Sequence, residues 1–116
     1  MGSILDGFEA DGALRLPEID LQPLAANEAA KGIARLALSS PRDSIVEFAG
    51  PQSISLNDIA SEYLTATSDS RSVRSDPSAM YFGVGLPPDG LLPGRSAMLS
   101  ELSFHDWIRR EVLAIA

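Results

Sequence analysis

Ser44-Ile45-Val46-Glu47-Phe48-Ala49-Gly50-Pro51-Gln52-Ser53-Ile54-Ser55-Leu56-Asn57-Asp58-Ile59-Ala60 is a strand signal that runs straight into a helix signal. Ile45 to Ala49 is apolar apart from Glu47, which predicts a strand covered on both faces, as in a parallel sheet. Gly50-Pro51 ends it sharply. Ser55 then opens a helix, with Asp58 at the third helical position in a capping-box-like arrangement. The apolar set Leu56, Ile59, Ala60, Tyr63 and Leu64 keeps helical spacing and predicts one buried face. An earlier stretch repeats the pattern. Leu21 to Leu24 is extended, Pro23 confines it to an edge or a strand end, and Asn27 is the expected N-cap of a helix whose stripe is Ala29, Ile33, Leu36 and Ala37. Strand-then-helix alternation needs a sheet to lie on, and the chain reads as too short to supply all of it.

Outward from these runs, Ser3 to Ala10 reads as a short helix or the tail of one begun earlier, and Asp11-Gly12 is a turn. Leu14 and Leu16 alternate around Arg15 in a short strand ended by Pro17, and Ser72 to Ser75 is a weaker strand stopped before Pro77. Ser103 caps a last helix with Asp106 three residues on, and Phe104, Trp107, Ile108, Val112 and Ile115 form its stripe. Residues 76–102 carry Pro77, Pro87, Pro88 and Pro93 with Gly83, Gly85, Gly90 and Gly94, and predict one long covering loop. The expected class is α/β, or a small α+β unit in isolation. About three helices and three to four short strands make up a single domain or part of one over residues 1–116.

Composition bounds the function. With 116 residues the chain can bury about 65% of its unfolded surface, enough for a modest core. A net charge of −7, with Lys31 the single lysine, argues against sequence-independent nucleic-acid binding and against an anionic membrane surface. No apolar run approaches the length of a membrane span, and Met1-Gly2-Ser3 is not expected to open a signal peptide. Zero cysteines remove thiolate and disulfide chemistry, and a cytoplasmic setting is expected.

Few residues carry chemistry. His105 is the only histidine and sits on a first helical turn, where a surface or capping role is expected, so no metal site is predicted. Asp6, Glu9 and Asp11 read as a solvated face. Gly83-Val84-Gly85 does not follow a strand and open a helix, and Pro51 removes an amide donor from the Gly50–Ser53 turn, so neither is expected to cradle a phosphate. Tyr63 fits its helix's core stripe. Tyr81-Phe82, in an apolar loop, either lines a small-molecule pocket or plugs the core. Arg71 and Arg74 are open to an anionic group or to solvent.

These segments resemble, in order, those of NmrA-like, atypical short-chain dehydrogenase/reductase proteins. Leu21-Gln22-Pro23-Leu24-Ala25-Ala26-Asn27-Glu28-Ala29-Ala30 resembles that family's "QPIAADDVA" stretch, and Val46-Glu47-Phe48-Ala49-Gly50-Pro51 its "VELAGPE" strand. Ser55-Leu56-Asn57-Asp58-Ile59-Ala60 is similar to "LDELA", Asp76-Pro77-Ser78-Ala79-Met80-Tyr81-Phe82-Gly83 to "DPxARYFG", and Leu91-Leu92-Pro93-Gly94 to "SLVPG". Phe104-His105-Asp106-Trp107-Ile108 is similar to the terminal "FEDWL". The resemblance runs from about Leu14 to Trp107 and implies the C-terminal, substrate-domain part of a Rossmann-type protein, without its nucleotide-binding half. It implies that Ile45 to Ala49 is a late strand of the Rossmann sheet and that Gln22, Pro23, Tyr81 and Phe82 lie nearest the substrate cleft. NAD(P) is implied for the full-length family, and no cofactor-binding residue for this chain. A Tyr-x-x-x-Lys couple is impossible, because Lys31 would need a tyrosine where Asn27 stands, so no catalytic residue is expected.

Three readings follow. The first is the substrate-domain portion of an NAD(P)-dependent oxidoreductase or dinucleotide sensor, without turnover by itself. The second is a stand-alone interaction module, in which an open sheet edge pairs in a homodimer or with a separate nucleotide-binding half. The third is a small lipophile-binding protein with the Tyr81 to Leu92 loop as a lid.

Overall fold

The computed structural model describes residues 1–41 and 43–113. In chain order the elements are α1 (Gly2–Asp6), β1 (Glu9–Ala10), β2 (Ala13–Leu16), β3 (Asp20–Leu21), α2 (Ala26–Ala37) and β4 (Phe48–Ala49). There follow β5 (Ile54–Ser55), α3 (Leu56–Ala66), β6 (Ser72–Ser75), β7 (Met98–Leu99), α4 (Phe104–Trp107) and a π-helical turn over Ile108–Leu113. The class is mixed α and β, with small sheets.

Asp11 and Gly12 both take positive φ (54° and 77°), the mirror-image turn that matches the twist of paired strands. β1 therefore folds back antiparallel on β2, with Ala10 opposite Ala13. On the other edge β6 runs parallel to β2, from Ala13 opposite Ser72 to Leu16 opposite Ser75. β3 pairs antiparallel with β5, and β4 pairs parallel with β7.

The core forms where β2 meets α3 and α1. Leu5, Leu14, Leu16, Ile19, Leu56, Ala60 and Leu64 pack in one buried cluster, while Ile59, Phe104 and Ile108 join α3 to the last helix in a second. Leu21 and Tyr63 touch both, and no polar or charged residue is fully buried among the described residues. The predicted stripe of α3 is thus the stripe observed. Ser55 and Ser103 cap as expected, their hydroxyls accepting from the Asp58 and Asp106 N–H groups at 3.1 Å each.

Other expectations are corrected. The N-cap of α2 is Ala25, not Asn27, and it makes no side-chain capping bond. Opening the helix earlier lets the Ala29 N–H donate to the Ala25 carbonyl at 3.0 Å, a backbone bond that a cap at Asn27 would forgo. The buried position of α2 is Gly32; Ile33 is 63% exposed and Ala37 lies in solvent. The Gly32 Cα faces the Phe48 ring so closely that a Cβ would come within 2.7 Å of it, which rotates the predicted stripe out of the contact. Ile45 to Ala49 is not one covered strand. Only Phe48–Ala49 pairs, and Ile45 is 94% exposed, because the chain bends before Phe48 and β7 is only two residues long. Residues 76–102 are largely irregular, yet they contain β7 and a tight Tyr81–Val84 turn. Ile115, placed in the last helix's stripe, lies outside the described residues.

The molecule is a slab of 51 × 35 × 19 Å with a radius of gyration of 15.7 Å. A compact chain of this length would have a radius near 13 Å. Its accessible surface is 7574 Å², against about 6,100 Å² expected for 12.3 kDa.

Candidate functional site

Gln22 and Pro23 sit where the extended segment after β3 crosses the end of β4. Gln22 Nε2 donates to the Gly50 carbonyl at 2.7 Å, and the Gly50 N–H donates to the Gln22 carbonyl at 3.1 Å. The reciprocal pair locks both backbones at a crossing too close for any side chain on residue 50. Pro23 then lines a hollow of about 290 Å³ with Leu24, Ala25, Phe104 and Trp107, closed on another side by Met1 and Ile4. The walls are apolar, with the α4 cap Ser103 on the rim, as suits a small ligand with a largely apolar body.

Tyr81 and Phe82 lie elsewhere. The Tyr81 ring packs on the main core cluster, 6.1 Å from Phe8 between centroids, and meets Phe82 edge to face at 4.7 Å. Phe82 takes φ 48° and Gly83 φ 79°, and the Phe82 side chain is 71% exposed. No hydrogen bond or ring contact joins this pair to Gln22 and Pro23, and neither ring lines the Pro23 hollow. The structure brings the four expected residues together as two pairs. Sequence reasoning missed Trp107 as a pocket residue because its spacing fits a core stripe equally well.

Arg71 does hold anions, and they belong to its own chain. Its guanidinium reaches Asp69 at 2.8 Å, Asp6 at 2.9 Å and Glu9 at 3.6 Å, tying α1 and β1 to the turn before β6. Hydrogen bonds from the Arg71 side chain, then its backbone N–H, hold the Asp69 carboxyl below the usual carboxylate range. Asp69 and Asp6 in turn push the guanidinium up. Ser78, through its hydroxyl and N–H, likewise lowers Asp76. His105 is surface-exposed and meets Glu62 on α3.

Several amides around the Gly50–Ser53 turn are closed to a phosphate. The Gly50 N–H is committed to Gln22, Pro51 has none, and the Asp58 N–H in the first turn of α3 is taken by Ser55. Among the described residues no three His, Cys, Asp or Glu side chains are arranged to hold a metal ion, and no helix is long and apolar enough to cross a membrane. No family model, curated protein or solved structure matches the chain.

Proposed function

We propose that this chain is the substrate-domain portion of an NmrA-like NAD(P)-dependent oxidoreductase or dinucleotide sensor, acting with a nucleotide-binding half. The observation that supports it most is the pair of parallel ladders, β2 with β6 and β4 with β7, each with so few strands. Parallel strands belong to sheets covered on both faces, and a two-stranded parallel ladder is stable only beside something larger. In this reading Pro23 and Trp107 form the wall of the small-molecule pocket, and Gln22 braces it through Gly50. The Tyr81–Phe82 turn presents a second aromatic surface beside Phe8. The dinucleotide and the hydride chemistry belong to the partner half.

Titrating the chain with NADPH while following Trp107 emission is expected to give no saturable change. Adding a separately produced NmrA-like nucleotide-binding half is expected to give a complex by sedimentation and a saturable NADPH response. A saturable response of the chain alone at micromolar NADPH, or no complex with any such half, would sink the reading.

The exposed apolar residues Leu38, Ile45 and Leu99 favour a second reading, a self-associating module joined through the open β4–β7 edge.

A further inference from the structure

The chain carries nine lysines and arginines against sixteen acidic residues, yet three of the nine, including its one lysine, face a single groove. Lys31 and Arg35 come from one side of α2, and Arg110 from the π-helical turn. Lys31 is paired with Glu28 at 3.2 Å. Arg35 and Arg110 form no ion pair among the described residues. Of the carboxylates on the groove, Glu28 is spoken for by Lys31, and Asp106 by Arg109 at 3.4 Å; Glu101 stands on the rim. Two guanidinium groups are therefore left against one free carboxylate.

Ser100 lines the same groove. Its N–H donates to the Ala49 carbonyl at 2.9 Å, which fixes it at the end of the β4–β7 ladder, while its hydroxyl oxygen is buried and has no hydrogen-bond partner among the described residues. A buried hydroxyl without a partner is costly. Here it belongs to a groove lined by three cations and three carboxylates, of which Arg35 and Arg110 are the cations in no ion pair among the described residues. This polar part, about 470 Å³, shares Glu28, Lys31, Arg35, Leu99 and Ser100 with an adjoining hollow of about 190 Å³. Leu36, Phe48 and Met98 line that second part, so one groove passes from charged to apolar.

We propose that this groove binds an amphipathic anion, an aryl or acyl body bearing a phosphate or a carboxylate. Arg35 and Arg110 hold the anionic head, and on binding the Ser100 side chain turns so that its hydroxyl, buried in the free protein, donates to it. The body lies against Leu36, Phe48 and Met98. The proposal stands apart from the NmrA-like reading, since it uses neither the Pro23 hollow nor a dinucleotide.

Calorimetric titration with phenyl phosphate and with 4-phenylbutyrate tests it and distinguishes the two head groups, with inorganic phosphate and phenol as the separate halves. Saturable binding of at least one whole probe is expected, with each half at least about tenfold weaker. Arg35→Gln and Arg110→Gln should each weaken the whole probe by about tenfold or more, since each removes a charge-assisted contact. Ser100→Ala should weaken it several-fold, and Arg74→Gln, on exposed β6, should leave it unchanged. Circular dichroism checks that each surface variant is folded. No saturable binding of either whole probe up to about 5 mM, or an equal loss in Arg74→Gln, overturns the proposal.

Discussion

A methyl group on Gly50 would sit 1.6 Å from the Pro23 carbonyl oxygen, a backbone atom that cannot swing aside. Gly50→Ala must therefore break the reciprocal hydrogen bonds to Gln22 or push α2 off Phe48. A loss of at least about 2–3 kcal/mol is expected from urea unfolding. Gly85→Ala is the control, because nothing lies within 4 Å of its Cβ position, and its midpoint should be unchanged. Asp69 belongs to the same scale. Its carboxyl is lowered by Arg71, so its contribution to stability is present above the ordinary carboxylate pKa of about 3.9 and fades as pH falls through the depressed value. Asp76, lowered by Ser78, adds to the same acid limb. Urea midpoints measured from pH 6 down to pH 3 should fall for the natural sequence. Asp69→Asn should start lower at pH 6 and fall less steeply; parallel curves would remove Asp69 from the account.

At the scale of elements, the caps and the core stripe of α3 are independent contributions that can be tested separately. Ser55→Ala removes the hydroxyl that accepts from the Asp58 N–H and should cost about 1 kcal/mol. Leu16→Ala, fully buried where β2 meets α3, should cost about 2–5 kcal/mol by the same measurement. These elements were legible in the sequence because local rules decide them. Ser55 with Asp58, Ser103 with Asp106, the Asp11-Gly12 turn and the 3.6-residue stripe all act within a few neighbours. What was not legible depended on distant partners. The face of α2 is chosen by the Phe48 ring against Gly32, and the extent of β4 by the shortness of β7. β7 itself is two residues inside a proline- and glycine-rich stretch, with no periodicity to mark it. Of the candidate site, Pro23 was legible through resemblance. Its partner Trp107 was hidden because a core aromatic and a pocket aromatic share one pattern. Arg35 and Arg110 were hidden because the groove that joins them is made by tertiary packing.

The whole molecule exposes roughly 1,500 Å² more than a compact chain of its mass, which exceeds the ~800 Å² that each partner gives to an ordinary interface. Leu99 at the outer edge of β7 and Ile45 beside β4 are 56% and 94% exposed, so the excess includes apolar area that a partner would cover. If the chain associates with itself through this edge, sedimentation velocity should show dimers at tens of micromolar, and Leu99→Lys should return it to monomer without loss of helical signal. A stable monomer in the natural sequence counts against the self-associating reading and leaves the separate-half reading standing. The pairing of Ala13 with Ser72 has a consequence for the order in which the protein can be made. On a ribosome, β2 has only β1 to pair with until Ser72–Ser75 has left the exit tunnel, so Leu14 and Leu16 wait for their ladder partners Val73 and Ser75 after the rest of their buried core cluster has been made. Contacts so distant in sequence are slow to close. Nascent chains stalled before Ser72 should therefore hold the β1–β2 hairpin and little else, and the newly made protein should depend on chaperones most during that interval.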